Sequence, residues 1–254
     1  MSTPSKSDPL VWLITGTSSG FGTQFVYEAL ARGDKVIATA RSKSLHKLDL
    51  LKNQGADVLE LDLTAPEEVL KEAARMAVGV YGRVDVLVNN AGYVQTGTVE
   101  EVTAEEAQRI YRSEGAMGLY ASTKWALRAL TLALHDELSP LNIHTTCMDF
   151  GHFRTPILDH SQRGEEVRRI EDYKDVGGRI EERFRAYNGK QPGDPSKGIH
   201  IAVDIIRGEG IALDKTFPVS ICFGSDCYTL ARKAHEDALM NLEEWKDVTC
   251  STDF

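Results

Sequence analysis

The sequence predicts an α/β protein, one domain built on a doubly wound parallel sheet with helices on both faces. Short apolar runs alternate with stretches of helical periodicity from residue 10 to residue 88. The first run ends in a glycine-rich turn, and no repeat or Pro/Gly/Ser linker divides the 254 residues. Alternation of this kind is the pattern of βαβ units, whose ligands bind at the carboxyl ends of the strands.

Each element has its own signal. Leu10-Val11-Trp12-Leu13-Ile14 is a continuous apolar run that suits a strand buried on both faces. Phe21, Phe25, Val26, Ala29 and Leu30 follow at helical spacing, stopped by Gly33. Strands are expected at 35–40, 57–61 and 84–88, separated by helical patterns at 44–54 and 65–81. Later segments predict helices at 117–138, 195–207 and 225–245 and strands at 143–148 and 218–223. Residues 161–190 read as a charged helix pair. Val167, Ile170, Tyr173, Ile180, Phe184 and Tyr187 form its apolar stripe, interrupted by Gly177 and Gly178. Its near-balanced charge is that of a solvated face. Residues 1–9 are polar and read as a loose tail.

Composition narrows the function. A hydrophobic fraction of 42% with 26% charged residues is ordinary for a soluble domain, and a net charge of −9 argues against a nucleic-acid surface. No apolar run reaches the roughly 18 residues of a membrane helix. The four cysteines lack metal-ligand or framework spacing, so they read as reduced thiols of a cytoplasmic protein, with Cys147 and Cys222 in buried strands. No metal site is expected.

Thr15-Gly16-Thr17-Ser18-Ser19-Gly20-Phe21-Gly22 lies where the first strand becomes a helix. Glycines there let the backbone approach a pyrophosphate at the helix N-terminus, whose free N–H groups and dipole favour anions. The second strand ends in Ala40-Arg41 with no carboxylate at its tip. Arginine pairs with phosphate, which selects NADP(H) over NAD(H). Asp62 follows the third strand, either to accept from an adenine amino group or to cap the segment near Thr64. Tyr120 and Lys124, four apart on a predicted helix, project as neighbours. A free phenol has a pKa near ~10, and a nearby ammonium lowers it, giving a proton donor for hydride chemistry.

TGTSSGFG, ELDLT around Asp62, NNAG at 89–92, YASTK at 120–124 and DFGHFRT at 149–155 together resemble the short-chain dehydrogenase/reductase family, in the family's order and over most of the chain. The resemblance implies a Rossmann-type fold. It implies that Gly16, Thr17, Ser18, Ser19, Gly20, Gly22, Arg41 and Asp62 bind the cofactor, and that Asn89, Asn90, Ala91 and Gly92 line its adenosine side. Gly151, Phe153 and Thr155 would hold the nicotinamide amide and pyrophosphate. Lys124 would hold the nicotinamide ribose beside Tyr120, and residues 156–194 would cover the substrate. Phe150 stands where the family usually has proline, which makes that loop less rigid.

The tyrosine arrives early. A βαβ crossover takes about 30 residues or more, yet residues 93–119 offer only a capped helix from Thr103 to about Ile110 and no run of strand-forming residues. Relative to the family, the fifth central strand is deleted between about Arg109 and Arg112. The family's catalytic serine and asparagine go with it; Ser113 and Ser122 do not stand in for the serine. Losing one oriented hydrogen-bond donor to an oxyanion costs on the order of 100- to 1,000-fold in rate. The sheet would close up with fewer strands or be damaged, and the family's homo-oligomer interface is affected. Three readings fit: an NADP(H)-dependent oxidoreductase acting on a mid-sized apolar ketone, aldehyde or alcohol, a nucleotide-binding pseudoenzyme, or the impaired product of a mis-spliced reductase gene.

Overall fold

The computed structural model describes residues 8–92, 117–159 and 170–253. Most of the loose tail, the capped helix at 103–110, the deletion point and residues 161–169 of the charged segment therefore lie outside the described residues. The amino-terminal half is a four-stranded parallel sheet in the order β3-β2-β1-β4. Its strands are β1 (Val11–Ile14), β2 (Lys35–Ala40), β3 (Asp57–Glu60) and β4 (Val86–Val88). The helices between them are α1 (Gly20–Ala31), the short α2 (Asp49–Asn53) and α3 (Glu67–Tyr81). Trp12, Ile14, Val36 and Ile37 are fully buried, as expected of continuous apolar runs covered on both faces.

The second half holds α4 (Met117–Leu138), β5 (Cys147–Phe150), α5 (Lys174–Tyr187), α6 (Pro195–Arg207), β6 (Ser220–Phe223), α7 (Ser225–Glu244) and α8 (Lys246–Cys250). β5 and β6 pair in parallel as a separate two-stranded sheet. The sheet has not closed up: among the described residues, β4 and β5 do not pair. The division falls where the sequence lacks a central strand.

A shared core joins the halves. It runs from Trp12, Phe25 and Val26 through Ile199, Ala202 and Val203 of α6 to Phe153 and Phe223. Polar contacts fasten the same joint. The Asp34 carboxylate, fully enclosed, accepts from Trp12 Nε1 at 2.8 Å, from Leu10 N at 2.9 Å and from Arg207 Nη1 at 2.7 Å. Arg32, at the end of α1, pairs with Asp204 of α6 at 2.7 Å and with Glu28 at 2.8 Å.

Three sequence expectations need correction. β5 begins at Cys147 rather than 143, and β6 at Ser220 rather than 218, because Pro218 has no N–H for the ladder and pairing starts beyond it. α5 runs unbroken through Gly177 and Gly178. Two glycines cost only about 1 kcal/mol each in a helix, and Asp175 in the first turn with Arg185 in the last suits the helix dipole. Cys222 is exposed, not buried: alternation on β6 sends Phe223 to the core and Cys222 to the opposite face.

Candidate active site

The glycine turn after β1 is built by hydrogen bonds that leave its helix end open. Thr15 Oγ1 donates to Val88 O at 3.2 Å and accepts from Asn90 N and Ala91 N, both at 3.0 Å. Asn90 Nδ2 donates to Thr15 O at 2.8 Å and to Gly16 O at 3.1 Å. The Thr17 hydroxyl donates to Thr39 O at 3.1 Å, and Thr23 Oγ1 donates to Thr17 O at 2.8 Å. The side chains of Thr17 and Asn90 thus fix the turn itself. They are scaffolding in this structure.

Two glycines are required by close approach. A Cβ on Gly16 would stand 2.7 Å from Ala91 Cα at a φ of +69°, and one on Gly22 would stand 2.4 Å from Gly16 O. Gly20, at φ +61°, opens α1. The N-cap Ser19 makes no side-chain cap hydrogen bond, and the first turn of α1 holds no acidic residue. An uncapped, uncontested helix N-terminus behind a glycine turn is what a dinucleotide pyrophosphate requires.

Other site residues converge on this turn. Thr155 comes to 3.7 Å from where a Cβ on Gly20 would lie, so the loop after β5 borders the helix end. Arg41 is exposed at the tip of β2, and its charge reaches Asp62. Asp62 accepts from Thr64 N at 2.9 Å and Thr64 Oγ1 at 2.8 Å; these bonds hold its carboxyl below the usual range, with Arg41 and Lys43 adding to the effect. The helix cap expected of Asp62 is not formed, since α3 starts at Glu67 behind Pro66; these bonds close the turn at Thr64 instead. Asn89 and Gly92 are exposed beyond β4, while Ala91 packs on Gly16.

Phe153 is buried. Its ring meets Phe21 at 5.5 Å and Phe150 at 5.2 Å and covers Gly193 and Gly198. Phe150 stacks on Phe223 at 4.4 Å, so aromatic packing anchors the loop that lacks the usual proline. Gly151 N donates to Phe223 O at 2.9 Å.

Tyr120 lies in the first turn of α4, and its side chain falls outside the described residues. Lys124, one turn on, is half-buried, and its charge is felt at Cys147 at the start of β5. Burial first, then Asp149, pushes the Cys147 thiol up to about 11 against the pull of Arg128 and Lys124. Among the described residues no group of three or more His, Cys, Asp or Glu is placed to hold a metal ion, and no helix is long and apolar enough to cross a membrane.

Sequence reasoning missed one feature of this region. Asp226, at the start of α7, accepts from both His152 N and His152 Nδ1 at 2.7 Å. The sequence signal was faint: an aspartate one residue into a helix opened by Gly224, and a histidine inside the 149–155 motif.

A parallel sheet whose first strand feeds a glycine turn and an open helix end is the architecture of a dinucleotide-binding protein. Comparison with known proteins narrows this. The short chain dehydrogenase family profile matches residues 10–116. Oxidoreductase BOA17 of Botryotinia fuckeliana is 29% identical across 95% of this chain and 98% of its own. That alignment spans 280 positions against 254 residues here, so the relative carries residues for which this chain has none. A short-chain dehydrogenase from Streptomyces avermitilis superposes with a TM-score of 0.80 at 28% identity, covering 97% of this chain and 100% of that one. A short-chain dehydrogenase/reductase from Burkholderia phymatum, solved with NAD, shares the fold at a TM-score of 0.76 and 19% identity, over 94% and 97% of the two chains. In profile match, relatives and fold the chain is similar to the short-chain dehydrogenase/reductase family.

Proposed function

We propose that this oxidoreductase interconverts a ketone or aldehyde and the corresponding alcohol with NADP(H), Tyr120 exchanging the proton at the substrate oxygen. The observation that carries the reading is the glycine turn opening an uncapped α1, with Arg41 and no carboxylate at the tip of β2. The residues fit the cofactor. The main chain from 16 to 20 and the first turn of α1 receive the pyrophosphate, with Thr155 closing over them from the loop after β5. Arg41 takes the 2′-phosphate, which a carboxylate in its place would repel. The relative solved with NAD shares the fold, and the choice between the two cofactors rests on this one strand tip.

The bound nicotinamide supplies hydride. Tyr120 protonates the carbonyl oxygen as charge develops there, and Lys124, one helical turn away, lowers the phenol pKa and holds the nicotinamide ribose. Gly151, Phe153 and Thr155 present main chain toward the nicotinamide, and residues 156–194 cover the substrate, a mid-sized apolar carbonyl compound or alcohol. No serine or asparagine stands in the family's remaining catalytic positions, which favours slow turnover. A pseudoenzyme that binds nucleotide without turnover is the second reading, motivated by the same loss.

NADPH consumption on a broad carbonyl panel separates the two. Turnover that falls about 100-fold or more in Tyr120→Phe, with NADPH affinity kept, supports the enzyme. NADPH binding with no turnover on any carbonyl supports the pseudoenzyme. Transcript reads across the codons for Arg109 to Ser113 test the mis-spliced origin, which uninterrupted reads joining them as written would exclude.

A further inference from the structure

The loop after β5 carries an imidazole that the proposed chemistry does not use. His152 lies in the same 149–155 segment as Thr155, the residue that borders the α1 N-terminus. One carboxylate oxygen of Asp226 takes both His152 N and His152 Nδ1, each at 2.7 Å. Burial opposes ionisation of Asp226, but these bonds and the Cys227 N–H more than offset it, holding the carboxyl below its usual range. An ionised carboxylate only accepts, so Nδ1 carries the hydrogen, and in the neutral form of the ring that tautomer leaves Nε2 as the acceptor.

Asp226 is a wedge as well as a hydrogen-bond acceptor. A Cβ on Gly151 would stand 2.2 Å from its Oδ1, and one on Gly224, at φ +96°, would stand 2.6 Å from the same atom. The ends of β5 and β6 both close on this side chain. The ring also meets Tyr187 of α5 edge-on, with centroids 5.1 Å apart. His152 is thereby fixed in orientation between the loop and the helix of the covering segment, while its side chain stays 54% exposed. Among the described residues Nε2 has no hydrogen-bond partner. A histidine oriented through one nitrogen while the other stays accessible is placed to meet a ligand.

We propose that His152 is a substrate-binding residue, positioned by Asp226, whose Nε2 accepts a hydrogen bond from a hydroxyl group on the substrate. The favoured substrates are then hydroxy ketones and the corresponding diols rather than simple ketones. This rests on the cofactor reading above, since it places the substrate beside the 151–155 loop.

Equilibrium binding tests it without requiring turnover. Acetophenone and its three ring-hydroxylated isomers are titrated into the full chain saturated with NADP+, which cannot reduce them. At least one isomer is expected to bind about tenfold more tightly than acetophenone. His152→Asn, whose short amide still reaches Asp226 but not the ligand, loses that preference. His152→Gln, whose amide oxygen extends outward, recovers part of it. The dissociation constant for NADPH stays within about twofold in both variants. A wild-type protein that binds NADPH without preferring any hydroxylated isomer overturns the proposal and leaves the cofactor reading intact. A preference that survives in His152→Asn overturns it as well. Failure of the wild-type protein to bind NADPH overturns both.

Discussion

The two sheets of this molecule hold similar sequence patterns and meet different fates. In the four-stranded half, β1 and β2 bury their apolar residues completely, with Trp12, Ile14, Val36 and Ile37 at 0% exposure. In the two-stranded half, α4 and α7 carry apolar residues just as regularly but leave them in solvent. Trp125 is 72% exposed and Leu130 61%, and α7 has no buried residue. The difference lies in the neighbours. A central strand between β4 and β5 would supply the surface against which these helices pack, and the sequence has no run to form it. An amphipathic element is stabilised by what it covers, not by its pattern.

The contrast can be broken by mutation. Arg207→Met removes the partner of the enclosed Asp34 carboxylate and is expected to cost about 3–5 kcal/mol; Ile37→Ala in β2 is expected to cost about 2–5 kcal/mol. Leu230→Ala on α7, where the side chain is 62% exposed, should change stability by no more than about 0.5 kcal/mol. Urea midpoints measure all three. Equal losses in the two halves would show that the second half is as tightly packed as the first.

Hydrogen exchange sharpens the same comparison at the level of the backbone. Amides of β1 and β2 should exchange only through global opening, and those of β5, β6 and α7 through smaller openings. Uniform protection across both sheets would contradict the account.

How much of this was legible in the sequence follows the same division. The strand from Val11, the turn at Gly16 and the helix end at 207 were readable because local signals and burial agree there, and the helix end at 138 was readable from local signals alone. The starts of β5 and β6 were not, since the register depends on where Pro218 falls opposite the partner strand. The separation of the sheets was legible only as a missing strand; that the gap stays open is seen in the lack of β4–β5 pairing among the described residues. At the site, the glycines could be read because their positions require close backbone approach. The His152–Asp226 pair could not, because 74 residues separate the two and only the pairing of β5 with β6 brings them together.

A smaller effect is expected on acidification. Burial disfavours ionisation of Asp204, but the Arg32 hydrogen bond and the Ile211 N–H more than offset it and hold the carboxyl below its usual range. A depressed pKa in the folded state gives stability that is present above the unfolded value of about 3.9 and lost as pH falls through the lower folded value. The wild-type protein should therefore lose stability below about pH 4 more steeply than Asp204→Asn, as read from urea midpoints against pH. Parallel curves would remove Asp204 from the joint's acid sensitivity.

The smallest difference concerns the thiols. Burial first, and then Cys222, pushes Cys227 up to about 12. At pH 8, iodoacetamide should modify the exposed Cys222 and Cys250 ahead of Cys147 and Cys227, as mapped by mass spectrometry. Rapid labelling of Cys227 would show that the β5–β6 corner opens readily.

The proposed oxidoreductase activity rests on the well-packed half being a working NADP(H) site even though the other half lacks a strand. Dissociation constants for NADPH and NADH with the wild-type protein test that claim most directly. The account predicts at least about tenfold tighter binding of NADPH, with most of the difference lost in Arg41→Ala, in keeping with an arginine–phosphate pair. A tenfold preference for NADH, or no binding of either, would contradict it.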